Sequence, residues 1–309
     1  MKASIPFTPL YEAFLSEKVK ERFEKIILSI AILSFVIHLI LIELVTHNFV
    51  AIPETTYLLT SPIAAIYTPF SFILVYEVYL LIYFLPRSTS NYISKQYEII
   101  ALIIIRRLFK DFSDLTLVKT WFENEGDLQF TFDLVASVVL FYLIYLFHTQ
   151  RLKIFRPKAS GILPDSSLAR FITTKKRIAT ALVPVLLVTA VYAFVDWGIG
   201  VFSPATSNHL AFRDINNIFF EQFFSVLIIA EVILLLFSFF HTDEFHKVIR
   251  NSGFIISTIL IRISFSVEGI MNTALIVSAV LFGLLMLFIH NKYETFNSAQ
   301  LDDVGTPRT

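Results

Sequence analysis

Apolar residues along this chain come in blocks long enough to cross a hydrocarbon core of ~30 Å, which takes ~20 helical residues. Six blocks stand out, at residues 26–46, 63–85, 130–148, 178–199, 219–240 and 270–290, all without Lys or Arg and with few carboxylates. Two others, 92–112 and 248–267, have shorter uninterrupted apolar runs, with Arg106 and Arg107 beyond the first and Arg262 beyond the second. Their hydropathy alone fits either a crossing helix or one lying at the interface. Ahead of the first block, residues 10–25 place Tyr11, Phe14, Leu15, Val19 and Phe23 on one helical face. That pattern predicts a helix lying on the cytoplasmic membrane surface or an extension of the first span.

Loop charges separate the alternatives for the two ambiguous blocks. If both cross, the loops 1–25, 86–97, 149–177, 241–252 and 291–309 share one side and carry 19 Lys and Arg, against 3 in the opposite loops. Basic residues concentrate in cytoplasmic loops, so this bias predicts eight transmembrane helices with both termini cytoplasmic. Trp121 and Trp197 then fall at the outer interface, where indole rings prefer to sit. Residues 1–25 are polar and show no small-residue cleavage site, so the first span is expected to be an anchor and not a cleaved signal.

Composition adds exclusions. The chain has 309 residues, is 56% hydrophobic and 16% charged, and has a mean hydropathy of +0.71, which sets it apart from ordinary water-soluble domains. A net charge of zero gives no footprint for nucleic acid. The absence of Cys excludes disulfides, thiol catalysis and thiolate metal sites. Nothing resembles a phosphate-binding loop, a dinucleotide fingerprint, a nucleophile elbow or a metallohydrolase cluster. No catalytic residue, cofactor or metal is therefore assigned, and the chain is not read as an enzyme.

The two halves repeat. A shift of 154 residues lays FSFILVYEVYLL from Phe70 over FSVLIIAEVILL from Phe224 and pairs Glu77 with Glu231. A shift of 156 lays IIALIIIRRLF over IISTILIRISF and pairs Arg106 with Arg262, and a shift of 141 lays VLFYLIYLF from Val139 over VLFGLLMLF from Val280. The first half holds about fifteen extra residues, around DFSDLTLVKTWFENEGDLQF, where the second has a turn near Ser266 to Asn272. Four helices per repeat means that the halves run in the same direction, related by an axis along the membrane normal. The expected organisation is a cytoplasmic or interfacial helix at 1–25, four-helix repeats at 26–148 and 178–290, a basic linker at 149–177 and a tail at 291–309. The eight basic residues of the linker act as topology determinants or as an anionic-lipid contact.

A Glu within the second helix (VYEVYLLI), an Arg late in the third (IIIRRLFKD) and an Asp opening the fourth (FDLVASVVLFYLIYLFHTQRLK) resemble the phosphate-starvation-inducible E (PsiE-like) family of four-helix bacterial membrane proteins. The chain looks like two fused copies, and the second lacks the Asp. The resemblance implies a bacterial inner (plasma) membrane location and a link to phosphate starvation or stress. It brings no catalytic residues.

Ionisable groups within spans are costly, about 2.5–3.5 kcal/mol at a helix centre, and are functional candidates by default. Glu77, Arg106, Glu231 and Arg262 form the candidate polar centre, with one Glu and Arg pair expected in each repeat and Arg107 left over as an unmatched charge. One reading has these pairs neutralise each other and fix helix register. The other has the two Glu face a common crevice and bind a proton or cation, while the Arg gate it or attract an anion such as phosphate. Voltage sensing is disfavoured, because sensors need Arg at every third position. His38 is expected to be a packed, neutral residue. Asp133 and Asp196 sit at outer helix ends where solvent reaches carboxylates, and Glu268 sits in the last tight turn. The run HTDEFH at 241–246 fits a solvated loop. Two functions follow: a channel or carrier for small ions, or a non-transporting scaffold or regulatory subunit that binds another membrane subunit or a copy of itself.

Overall fold

The computed structural model describes residues 8–47, 62, 64–114, 125–153, 166–202, 223, 225–234, 236–237, 245–267 and 269–305, and no strand occurs among them. The helices in chain order are α1 (Thr8–Leu15), α2 (Glu17–Thr46), α3 (Tyr67–Phe84, entered through a 3-10 turn at Ala64–Ile66), α4 (Thr89–Asp114), α5 (Glu125–Lys153) and α6 (Ser166–Phe202). They continue with α7 (Ser225–Leu234), α8 (Phe245–Ser264) and α9 (Ile270–Gly305). Helices α2 to α9 thus fall one on each of the eight apolar blocks. Among the described residues, three stretches are long and apolar enough to cross a membrane: Pro9–Thr46, Gly126–Lys153 and Ile270–Phe296.

The segment at 10–25 splits: its second part extends the first span, and its first part is a separate short helix packed against protein. Ser16 takes an extended backbone (φ −81°, ψ 156°) and breaks the helix, so residues from Glu17 onward extend α2 continuously. The short α1 packs against α6 and α2. Its Leu15 is buried, Lys176 stands 5.1 Å over the Tyr11 ring, and the Tyr79 hydroxyl donates to the Phe14 carbonyl at 2.8 Å. Burial of that apolar face against protein holds α1 in place.

Large apolar side chains face outward on several helices, while a set of polar ones is buried within the apolar core. Ile32 and Leu33 on α2, Val138 and Tyr145 on α5 and Leu187 and Val188 on α6 are all at least 60% exposed. Ser94, Gln96, Asp133, Glu231, Ser257, Thr258 and Thr273 are buried. That exposed apolar surface suits a lipid surround, where buried polar groups must find partners within the protein.

Helix α4 explains why its segment looks poorly apolar. Tyr92, Ile93, Tyr97, Ile99, Ile100, Ala101 and Ile104 are all buried in the core. It packs against α3 and α5 and bonds to α7, α8 and α9 through side chains. A helix covered by protein can carry polar groups that a lipid-facing helix cannot.

The two halves share this core. Helices α5 and α9 pack together, and α8 and α9 form a hairpin closed at Gly269, whose φ of 70° favours glycine. At Gly283 on α9 an added Cβ would collide with the Tyr97 hydroxyl. The missing side chain is what lets α4 and α9 approach.

Candidate functional site

Glu231 and Glu77 approach α4 at neighbouring positions. The Tyr92 hydroxyl donates to Glu231 Oε1 at 2.5 Å, and Gln96 Nε2 donates to the same oxygen. Gln96 in turn accepts from the Thr258 hydroxyl at 2.9 Å, so α4, α7 and α8 meet in one network. Glu231 Oε2 is buried without a hydrogen-bond partner among the described residues.

Glu77 faces Lys95, whose Nζ lies 4.0 Å from Oε2. Lys95 is held more closely by Glu98, at 2.9 Å, and Glu98 also meets His148 Nε2 at 2.9 Å. His148 Nδ1 contacts Arg151 at 3.1 Å, and Arg151 donates to Asn91 at 2.8 Å. A line of titratable groups therefore leads from Glu77 to the ends of α4 and α5.

The expected Glu and Arg pairs do not form. Glu77 meets Lys95, and Glu231 meets Tyr92 and Gln96, while Arg106 is buried farther along α4. Arg262 donates to Ser225 and Ser266, each at 3.1 Å, and so ties the start of α7 to the α8–α9 turn. Ser225 precedes Glu231 by six residues, about 9 Å of helical rise, so an Arg at the level of Ser225 has polar partners at its own depth.

Arg107 is matched, contrary to expectation, and Asp133 is not solvated. Arg107 Nε lies 2.6 Å from Asp133 Oδ2, and its other nitrogens donate to Asn272 and Thr273, each at 2.7 Å. Thr273 and Gln129 also donate to Asp133, at 2.5 and 2.9 Å, and Asp133 is 0% exposed. The start of α9 covers this end of α5 and shuts out the water that would have reached the carboxylate. His38 Nδ1 lies 2.5 Å from the Thr68 hydroxyl, joining α2 to α3. Glu268, Trp121 and residues 241–244 lie outside the described residues, as do the side chains of Asp196 and Trp197.

A partly open crevice lies between α4, α6, α7 and α8 beside the α3–α4 turn. Glu231, Lys175, Tyr92, Thr89 and Asn251 supply its polar lining, and Ile93, Leu234 and Phe254 are among its apolar walls. Glu231 borders this space, and Glu77 does not.

Lys175 does not stand out in the sequence, because it sits in a basic linker that looks solvated throughout. It is buried and donates to the Arg87 carbonyl at 3.2 Å. Burial, with Arg250 nearby, pushes its ammonium down to about 8. The crevice thus holds a carboxylate and a lysine whose charge is weakly held.

No family model, curated protein or solved structure matches the chain. What stands is an all-helical protein that has, among the described residues, three helices long and apolar enough to cross a membrane and a crevice with a partly polar lining.

Proposed function

We propose that this is an integral inner-membrane protein of eight crossing helices, built as two parallel four-helix repeats, that carries a proton or small cation through the Glu231 crevice. One observation carries the reading: a buried carboxylate with an unsatisfied oxygen borders a partly open crevice. Leaving such an oxygen without a partner costs free energy that a proton or a desolvated cation would recover. Lys175, which lines the same crevice, supplies a buried positive charge there. The basic loops put the crevice on the cytoplasmic side and both termini with it. The PsiE-like resemblance supports a bacterial inner membrane and a phosphate-starvation or stress setting. No catalysis is part of this reading.

Purified protein in liposomes should then pass protons or alkali cations. Glu231→Gln should abolish the flux in a variant that still folds, whereas Glu77→Gln, away from the crevice, should only reduce it. Liposomes that stay tight to protons, alkali cations, chloride and phosphate would overturn the transport reading.

A second reading, a non-transporting scaffold or regulatory subunit, is favoured by the closure of the Arg107, Asp133, Asn272 and Thr273 network. Every charge there meets an opposite charge or a hydrogen-bonding partner within the protein. Such a network specifies packing and needs no ion.

A further inference from the structure

One cluster of metal-ligating side chains stands apart from the crevice, at the far end of the α8–α9 hairpin. His246 lies in the first turn of α8, and His290 and Glu294 lie one helical turn apart on α9, so the hairpin sets an imidazole against a face that already carries an imidazole and a carboxylate. His246 Nε2 is 3.1 Å from Glu294 Oε1, and His290 Nε2 is 4.0 Å from the same oxygen. The two rings stack with centroids 5.1 Å apart, and the three ligand atoms all lie within 4.8 Å of one another. His290 is almost wholly buried, which screens the site from bulk water.

We propose that His246, His290 and Glu294 bind one divalent transition-metal ion of the Zn2+ class. Zinc bonds nitrogen and carboxylate oxygen at ~2.0–2.2 Å, which sets tetrahedral ligands roughly 3.4 Å apart. The His246 to Glu294 edge is already close to that length, and small rotations of the two imidazoles close the others. Two imidazoles with one carboxylate suit borderline ions, whereas Mg2+ and Ca2+ prefer oxygen alone. The chain has no Cys, so imidazole nitrogen is the strongest zinc ligand it can offer.

Arg250 regulates access to this site. Its NH1 donates to His290 Nε2 at 2.9 Å and so occupies the lone pair a metal would use. Its Nε and NH2 also hold Asn251 Oδ1, at 3.2 and 3.0 Å, so the guanidinium has a second partner to rest on when a metal displaces it. Asn251 lines the crevice, which leaves the metal site one side chain away from it.

The test uses full-length protein purified in detergent through a tag without histidine, titrated with Co2+ and Zn2+. Expected are one saturable equivalent, visible Co2+ bands typical of tetrahedral coordination, displacement by Zn2+ and indifference to excess Mg2+. His246→Gln and Glu294→Gln, neither of them fully buried, should each weaken binding about ten-fold or more. Arg250→Gln should tighten it by removing the competing guanidinium, an effect that a purely structural hydrogen-bond cluster would not produce. His290→Gln serves as a further variant if it folds, and the other two decide the matter if it does not. No saturable binding in either the wild type or Arg250→Gln would overturn the proposal, as would unchanged affinity in both His246→Gln and Glu294→Gln.

Discussion

Asn291 Nδ2 donates to the carbonyl of Gln150 at 2.9 Å, and those two residues are related by the same 141-residue shift that superposes VLFYLIYLF on VLFGLLMLF. At the other end of the same helix pair, Thr273 bonds Asp133, a separation of 140 residues. Helices α5 and α9 therefore run parallel and in register, and a residue meets its own counterpart across the interface. Over this helix pair the sequence match is carried into contact between matched positions. The symmetry is not kept in the side chains. Glu77 pairs with Lys95 in its own half, whereas Glu231 reaches across to Tyr92 and Gln96 in the other.

That asymmetry ranks the buried charges. Asp133→Asn leaves Arg107 without its counter-charge and should cost about 3 kcal/mol or more, as breaking buried pairs does. Glu77→Gln should cost much less, because Lys95 keeps Glu98 at 2.9 Å. Adding Arg107→Met to an Asp133→Leu variant should restore much of the loss, measured by thermal unfolding in detergent. Equal costs for Asp133→Asn and Glu77→Gln, or simple additivity in the double variant, would contradict the geometry.

A close approach gives a second prediction. Tyr97 projects from α4 over Gly283 on α9, and its hydroxyl meets Ser257 at 2.8 Å. Gly283→Ala forces an atom into that space and should destabilise by ~1–3 kcal/mol, typical of overpacking. Combining it with Tyr97→Phe removes the colliding hydroxyl, so the pair should lose less than the two single losses together. A Gly283→Ala variant with unchanged unfolding temperature would mean that α4 and α9 stand farther apart.

The positions of the described helices α2 to α9 were legible in the sequence, because each falls on a long apolar run. Partners were not, because they depend on which face of a helix meets protein. Asp133 looked solvated since it opens a helix at the outer side, and only the packing of α9 over that helix end buries it. Arg107 looked unmatched for the same reason. Arg106 and Arg262 were assigned to Glu77 and Glu231 from depth alone, and depth ignores rotation about the helix axis. Lys175 was hidden by its basic neighbours. A readable signal existed for the histidine cluster: His246 lies as far before Gly269 as Lys292 lies after it, so a hairpin closed at Gly269 brings His246 to His290 and Glu294.

The absence of Cys makes topology directly testable, since any introduced thiol is the only one present. Cys at Thr120 or Ser207 should react with an impermeant reagent added to intact cells, and Cys at Ser160 should not. Labelling at Ser160 without labelling at Ser207 would invert the orientation. Silence at Thr120 alone would mean that neither α4 nor α5 crosses, because the loop between them would then stay on the side of Ser160.

Lys175 gives a pH dependence of defined sign. Its ammonium is lowered from 10.5 to about 8 in the folded protein, chiefly by burial. Between those values the unfolded chain binds more protons than the folded one, so stability rises with pH across the window and is fully penalised below it. The whole gain is about 3 kcal/mol at most, because a tenfold change in a protonation equilibrium is worth roughly 1.4 kcal/mol. Lys175→Met should remove that slope and stabilise the protein at pH 7, where an ammonium must otherwise be kept charged in a largely dry crevice. Unfolding temperatures measured from pH 7 to 10 for the two proteins provide the comparison. Parallel curves would mean that Lys175 is solvated.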